Sequence, residues 1–247
     1  MPSSVGDTLR TVADTLANSR LPDGGPRYVE TDLSRHPIVE PFNTVTAVFF
    51  ALIALAWLVQ LRADQPNRLL KIVSAIILLM GGIGGTIFHG TRSHWFFLML
   101  DVVPIMILII GYSFHLFYKL RMMVVAAILM VLIFGLRLSG GALGISQQAQ
   151  ITLGYGMSGS LILIPLVLSL SRQNWHHLAW VIGALLSFVT ALLFRLADSA
   201  LPGTDWLQVF PMGTHFLWHT FGAVATVLLI MYWHLSDKLS SQKVLSN

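Results

Sequence analysis

Apolar stretches separated by short polar segments recur along the whole chain. A helix that crosses a bilayer needs roughly 20 mostly apolar residues. Stretches that meet or approach this length cover about 44–62, 71–91, 95–118, 122–138, 151–171, 177–197 and 209–234. The fourth is the shortest. The separators are brief and polar, among them Arg62–Arg68 and Ser171–His177. The regular alternation of a membrane β-barrel is absent. The pattern therefore predicts an all-α polytopic membrane protein, a seven-transmembrane helix bundle. No separator is long enough to hold a second domain, and no internal repeat is visible. The expected organisation is a polar N-terminal tail over 1–43, a seven-span domain over 44–235 and a short C-terminal tail over 236–247.

Composition agrees with this pattern. Of 247 residues, 55% are hydrophobic and only 11% are charged, against about 25% charged in soluble domains. Mean hydropathy is +0.74. A disordered chain and a cytosolic enzyme are both excluded. The 15 Lys and Arg are scattered and form no basic stripe of the kind phosphate backbones need, so no nucleic-acid partner is expected. Without cysteine, disulfides, thiolate metal sites and Cys nucleophiles are ruled out. Residues 1–40 hold no apolar run of signal-peptide type, so the first span is expected to act as the signal.

Charge also orients the spans. Seven crossings put the termini on opposite sides. The C-terminal side collects Arg62, Arg68, Lys71, Lys119, Arg121, Arg172, Lys238 and Lys243. The other side has Arg27, Arg35, Arg92, Arg137 and Arg195. By the positive-inside rule the C-terminus is cytoplasmic and the N-terminus is outside or lumenal.

Ionisable residues within apolar spans are costly and mark function by default. Several here have plain structural readings. His115 and His234 lie near span ends beside aromatic residues, and His36 and His94 also read as interfacial. His176 and His177 fall in a loop. Arg137 can snorkel from a span end. Arg195 and Asp198 have the i, i+3 spacing of a helix-surface ion pair. Trp95 and Trp218 read as part of an aromatic belt or as pocket residues.

Four residues resist this treatment: His89, Asp101, His215 and His219. His89 closes the second span, Asp101 opens the third, and the His pair opens the seventh. Alternating span direction brings all four to one depth, on the N-terminal face. His215 and His219, at i and i+4, share one helix face. With His89 they make three nitrogen ligands, the pattern of a catalytic zinc that keeps a fourth position open. Asp101 would then orient a water, take its proton or hold a ligand imidazole. The alternative from the same residues is a His–Asp hydrogen-bond network that only packs helices.

The run GGTIFHGTRSHWFFLMLDVVPI, ending at Ile105, resembles the second and third spans of the alkaline ceramidase family. GTHFLWHTFGA resembles its last-span His-x-x-x-His motif. EPFNTVTAVFF, from Glu40, resembles its entry to span one, and FRLAD, with Asp198, its span-six acid. The wider group is the CREST superfamily of seven-span hydrolases and receptors. The resemblance implies Zn2+ on His89, His215 and His219, with Asp101 near the metal-bound water. It implies an integral-membrane hydrolase cleaving the amide of a ceramide-like lipid to a sphingoid base and a fatty acid. A lipid receptor of the progestin and adiponectin type with a structural zinc is the alternative. A transporter and a di-iron desaturase fit less well, for want of broken helices, repeats and further histidines. The family's serine, four residues before His89, is here Gly85. Thr86, Thr91 and Ser93 are the nearest hydroxyls, and Thr86, Ser93, Trp218 and Asp198 are expected at or near the pocket. The family's calcium motif before span one is not matched by RYVETDLSRHPIVEP, so calcium is not predicted.

Overall fold

The computed structural model describes residues 21, 23–35, 37–139 and 147–245. Most of the expected N-terminal tail, His36 and the centre of the separator after the fourth span lie outside the described residues, as do the side chains of Arg137 and Lys243. Among the described residues eight helices follow in order: α1 Pro41–Gln60, α2 Arg68–Thr91, α3 Trp95–Lys119, α4 Met123–Ser139, α5 Gln147–Arg172, α6 Leu178–Ala200, the short α7 Trp206–Val209 and α8 His215–Leu245. There is no strand among the described residues.

Six of these helices are long and apolar enough to cross a membrane, which fits an integral membrane protein. The fourth expected span forms a helix, but its apolar part, Met123–Leu136, is shorter. At 1.5 Å per residue it reaches about 21 Å, against a hydrocarbon core of about 30 Å. The expected span over 209–234 is broken. A turn at Phe210–Thr214 separates α7 from α8, and α8 begins at His215 and runs to Leu245.

The outward faces carry large apolar side chains, including Val45, Leu52, Val59, Val131 and Leu193. Polar and charged groups turn inward: Glu40, Asn43, Lys71, His89, Asp198, His215, His219 and Asp237 are all buried. This distribution inverts that of a soluble protein and suits an apolar surrounding.

Six helices close a ring. α1 packs between α2 and α8, α8 continues to α6, α6 touches α5, α5 packs on α3, and α3 returns to α2. α4 lies outside, against α3 and α5. Glycines in α2 set the closest approaches, as small residues do between membrane helices. A Cβ at Gly82 would run into the Ala51 backbone of α1, and one at Gly84 into Leu100 of α3.

The two ends of the ring carry separate polar clusters. At one end Asp237 binds Lys71 at 2.9 Å and Lys119 at 2.7 Å, and accepts from Asn67 at 3.1 Å. These contacts tie α8 to α2 and α3. At the other end are the histidines.

Candidate metal centre

His89 stands in the last turn of α2, while His215 and His219 occupy the first turns of α8. The helices flank α1 on either side, so α1 is the natural support for all three. One ligand nitrogen from each histidine lies within 4.8 Å of the others. Ring centroids are 4.8 Å apart for His89–His219 and His215–His219, and 5.5 Å apart for His89–His215. The three rings are buried.

The hydrogen bonds engage one nitrogen of His89 and one of His219 and leave the other free. Glu40, just before α1, accepts from His89 Nδ1 at 2.5 Å. A carboxylate only accepts, so Nδ1 holds the proton. His89 Nε2 is then a free lone pair, and it is buried without a partner. His219 Nδ1 donates to the Asn43 carbonyl at 3.1 Å and lies 3.2 Å from Thr46 Oγ1. A carbonyl cannot donate, so His219 Nε2 is likewise the lone pair. His215 Nδ1 is buried and unpartnered. Buried polar atoms without partners are rare and need a reason. Three buried imidazoles with one nitrogen each within 4.8 Å of the others fit a metal ion that takes nitrogen donors. That bound is on the scale of the roughly 3.4 Å between tetrahedral zinc ligands at 2.0–2.1 Å.

Behind the histidines is a charged support. Glu40 also accepts from Thr31 Oγ1 at 2.5 Å, Asn43 Nδ2 at 3.2 Å and Arg92 at 2.8 Å. Burial works against its charge, but His89 and Arg92 hold the Glu40 carboxyl below the usual carboxylate range. Arg92 ends α2 in a left-handed conformation, with φ 48°. Its guanidinium binds Asp23 twice, at 2.6 and 3.1 Å, and the Pro26 carbonyl. Glu30 accepts from the backbone N–H groups of Phe42 and Asn43 at 2.6 and 2.9 Å, supplying the negative charge that a helix start favours. The segment before α1 is thereby fastened across the site. From it Tyr28 stacks on His215, ring centroids 3.8 Å apart, and tilts toward His89 at 5.4 Å. Burial pushes the Tyr28 phenol well above its ordinary pKa despite Arg195 nearby.

Asp101 opens α3 and lies against Gly85, one turn before His89. A Cβ on Gly85 would overlap the Asp101 carboxylate and stand 3.5 Å from Ala47. Glycine here makes room for the acid. Its neighbours are thus α3 and α1. Asp101 is in electrostatic reach of His89 and Arg195.

The other expected residues divide. Asp198 does not pair with Arg195. Its Oδ1 accepts from the N–H groups of Thr214 and His215 at 2.7 and 3.1 Å, and its Oδ2 from Val29 at 3.2 Å. It caps α8 and holds the two histidines' helix in place. The i, i+3 spacing lost to three N–H groups, two of them the otherwise unsatisfied donors that open a helix. Arg195 lies over Tyr155 at 4.8 Å and Trp218 at 5.5 Å. Trp218 therefore faces the bundle beside the site, whereas Trp95 is exposed. Thr86 donates to the Gly82 carbonyl at 2.7 Å, within its own helix. Ser93 is exposed and bonds Thr91. Neither hydroxyl is directed at the histidines. His115 stacks with Tyr112 and tilts against Trp233 toward the Asp237 end. His94 accepts from the Phe96 N–H and caps α3.

Glu40, Arg92, Asp23 and Tyr28 were not among the residues singled out for the site. The one available signal was a carboxylate immediately before a Pro-initiated apolar span, at the level of the histidines. No protein-family model, curated protein or solved structure matches the chain.

Proposed function

We propose that the chain is a zinc-dependent membrane hydrolase of the alkaline ceramidase type, cleaving the amide of a ceramide-like lipid. In this reading α1 to α6 and α8 cross the membrane, the N-terminus is outside or lumenal, and the histidines lie near that face. The observation that carries the reading is the trio itself. His89 and His219 each have one nitrogen fixed by an acceptor from the α1 region, and one ligand nitrogen of each of the three histidines lies within 4.8 Å of the others. Nitrogen-only donors with borderline softness suit zinc better than calcium or magnesium.

A zinc ion bound there would polarise the amide carbonyl and lower the pKa of a water toward 7. Asp101, beside Gly85 and one helical turn from His89, takes the proton of the attacking water. It returns that proton to the amide nitrogen as the C–N bond breaks, so the products are a fatty acid and an amine. Glu40 keeps His89 in the tautomer that leaves Nε2 free, and Asp198 fixes the backbone from which His215 and His219 project.

The test is metal analysis of purified protein together with hydrolysis of a long-chain ceramide, for the native chain and for His219→Ala. The expected result is one zinc per chain and turnover, both lost in the variant. Bound zinc without turnover would point instead to a receptor. Absence of bound metal after zinc supplementation would refute both.

A further inference from the structure

Resting on the hydrolase reading, we infer that Tyr28 and Arg195 together form the anion-holding wall of the three-histidine site. They would hydrogen-bond the oxygen that becomes negative when the amide carbonyl is attacked. Three observations lead there.

Arg195 is a cation in an apolar helix with no carboxylate at ion-pair distance among the described residues. Its guanidinium rests on the faces of Tyr155 and Trp218, and its electrostatic reach extends to His215, His219, Tyr28 and Asp101. Arg92, at the same site, contrasts with it. Arg92 is saturated by Asp23, Glu40 and the Pro26 carbonyl. A charge within a span ordinarily pairs with another or lines a functional path. Arg195 has aromatic faces and retains donors for an anion.

Tyr28 supplies the second donor. Its ring lies flat on His215, and its phenol is in electrostatic reach of Arg195. The backbone on both sides is held: Tyr28 N–H donates to Thr31 Oγ1 at 3.0 Å, and Val29 N–H to Asp198. A donor fixed before reaction loses little in reorganisation, which is what makes such groups effective.

Third, the other hydroxyls considered at or near the site are engaged elsewhere or exposed: Thr46 donates to the Phe42 carbonyl at 2.8 Å and Thr31 to Glu40. Gly85 has none, Thr86 is engaged with Gly82, and Ser93 is exposed. In the step proposed, the water oxygen bonds to the carbonyl carbon and the C=O π pair moves onto the carbonyl oxygen. Tyr28 and Arg195 donate to that oxygen and keep their own protons. The pair returns as the amine leaves with the proton carried by Asp101.

The test uses full-length protein in detergent with zinc supplied. Tyr28→Phe preserves the ring stacked on His215 and removes only the O–H. Arg195→Lys retains charge without the planar fork. Two readouts are taken: ceramide kcat and KM, and titration with a long-chain alkylphosphonate, a tetrahedral anion, against a long-chain alcohol of equal length. Tyr28→Phe should lower kcat by about 100- to 1,000-fold, the usual scale for such a donor, with KM and zinc content unchanged. Both variants should weaken phosphonate binding at least tenfold and leave the alcohol unaffected. Kcat and phosphonate affinity within twofold of native in Tyr28→Phe would overturn the inference, as would loss of zinc, which would make the tyrosine purely structural. If the native chain hydrolyses nothing, the hydrolase reading fails. The phosphonate titration then still decides the anion site: loss of discrimination in the variants supports it, and unchanged affinity overturns it.

Discussion

Replacing Glu40 by glutamine probes the metal centre without touching a ligand. The native carboxylate receives four donors. Thr31 Oγ1 and Arg92 reach Oε1, and Asn43 Nδ2 and His89 Nδ1 reach Oε2. An amide must put its NH2 at one of these ends. At the first end it meets Arg92, which has no acceptor. At the second it meets His89, which can respond only by moving its proton to Nε2 and giving up its lone pair. Either orientation weakens the support of His89. Loss of such an outer partner typically costs 10- to 100-fold in metal affinity, or about 1.4–2.8 kcal/mol. The fold should survive, because Arg92 keeps both bonds to Asp23 and Glu30 still caps α1. The assay is competition between the detergent-solubilised protein and a chromophoric zinc chelator, with helix content followed by circular dichroism. Affinity within twofold of native in a folded Glu40→Gln protein would refute the claim that Glu40 sets the His89 tautomer.

Asp101→Asn should keep zinc and lose at least about 100-fold in ceramide turnover, the scale of a general acid–base group; unchanged turnover would leave Asp101 a packing partner. Gly85→Ser should not restore a missing donor, because its Cβ meets the Asp101 carboxylate first. Displacing that acid by about 1 Å should lower turnover by about 100-fold with zinc retained, whereas faster hydrolysis in a kinetic assay would show that Asp101 yields without harm. A tag at the N-terminus should be labelled from outside the cell or the lumen and one after Lys243 only from the cytoplasm; protease protection in sealed vesicles checks this, and reversed labelling inverts the proposed orientation.

Helix existence and the level of each histidine were legible in the sequence because both depend on neighbours. A run of apolar residues needs only its own composition to form a membrane helix. The i, i+4 spacing of His215 and His219 places them on one face whatever surrounds them. Alternating direction then brings His89 and Asp101 to the same end. The boundary of the last helix was less legible. Local hydropathy runs through Phe210–Thr214, but Asp198 receives the Thr214 and His215 N–H groups from another helix and defines the start there.

What only the tertiary structure decided is how the helices are turned and which side chains consequently meet. His89 and Glu40 are 49 positions apart, and His219 and Thr46 are 173 apart. No periodicity within either segment encodes such a contact. It depends on the azimuth of α1 between α2 and α8, which the packing around Gly82 helps to set. The same holds for Arg195 and Asp198. Their spacing on α6 permits an ion pair, yet the neighbouring α8 offers Asp198 unsatisfied N–H groups, and Tyr155, Trp218 and Tyr28 surround Arg195. In an apolar medium each buried polar group binds the strongest partner that packing brings within reach. The sequence therefore determines which groups must be satisfied, and the assembled bundle determines by whom.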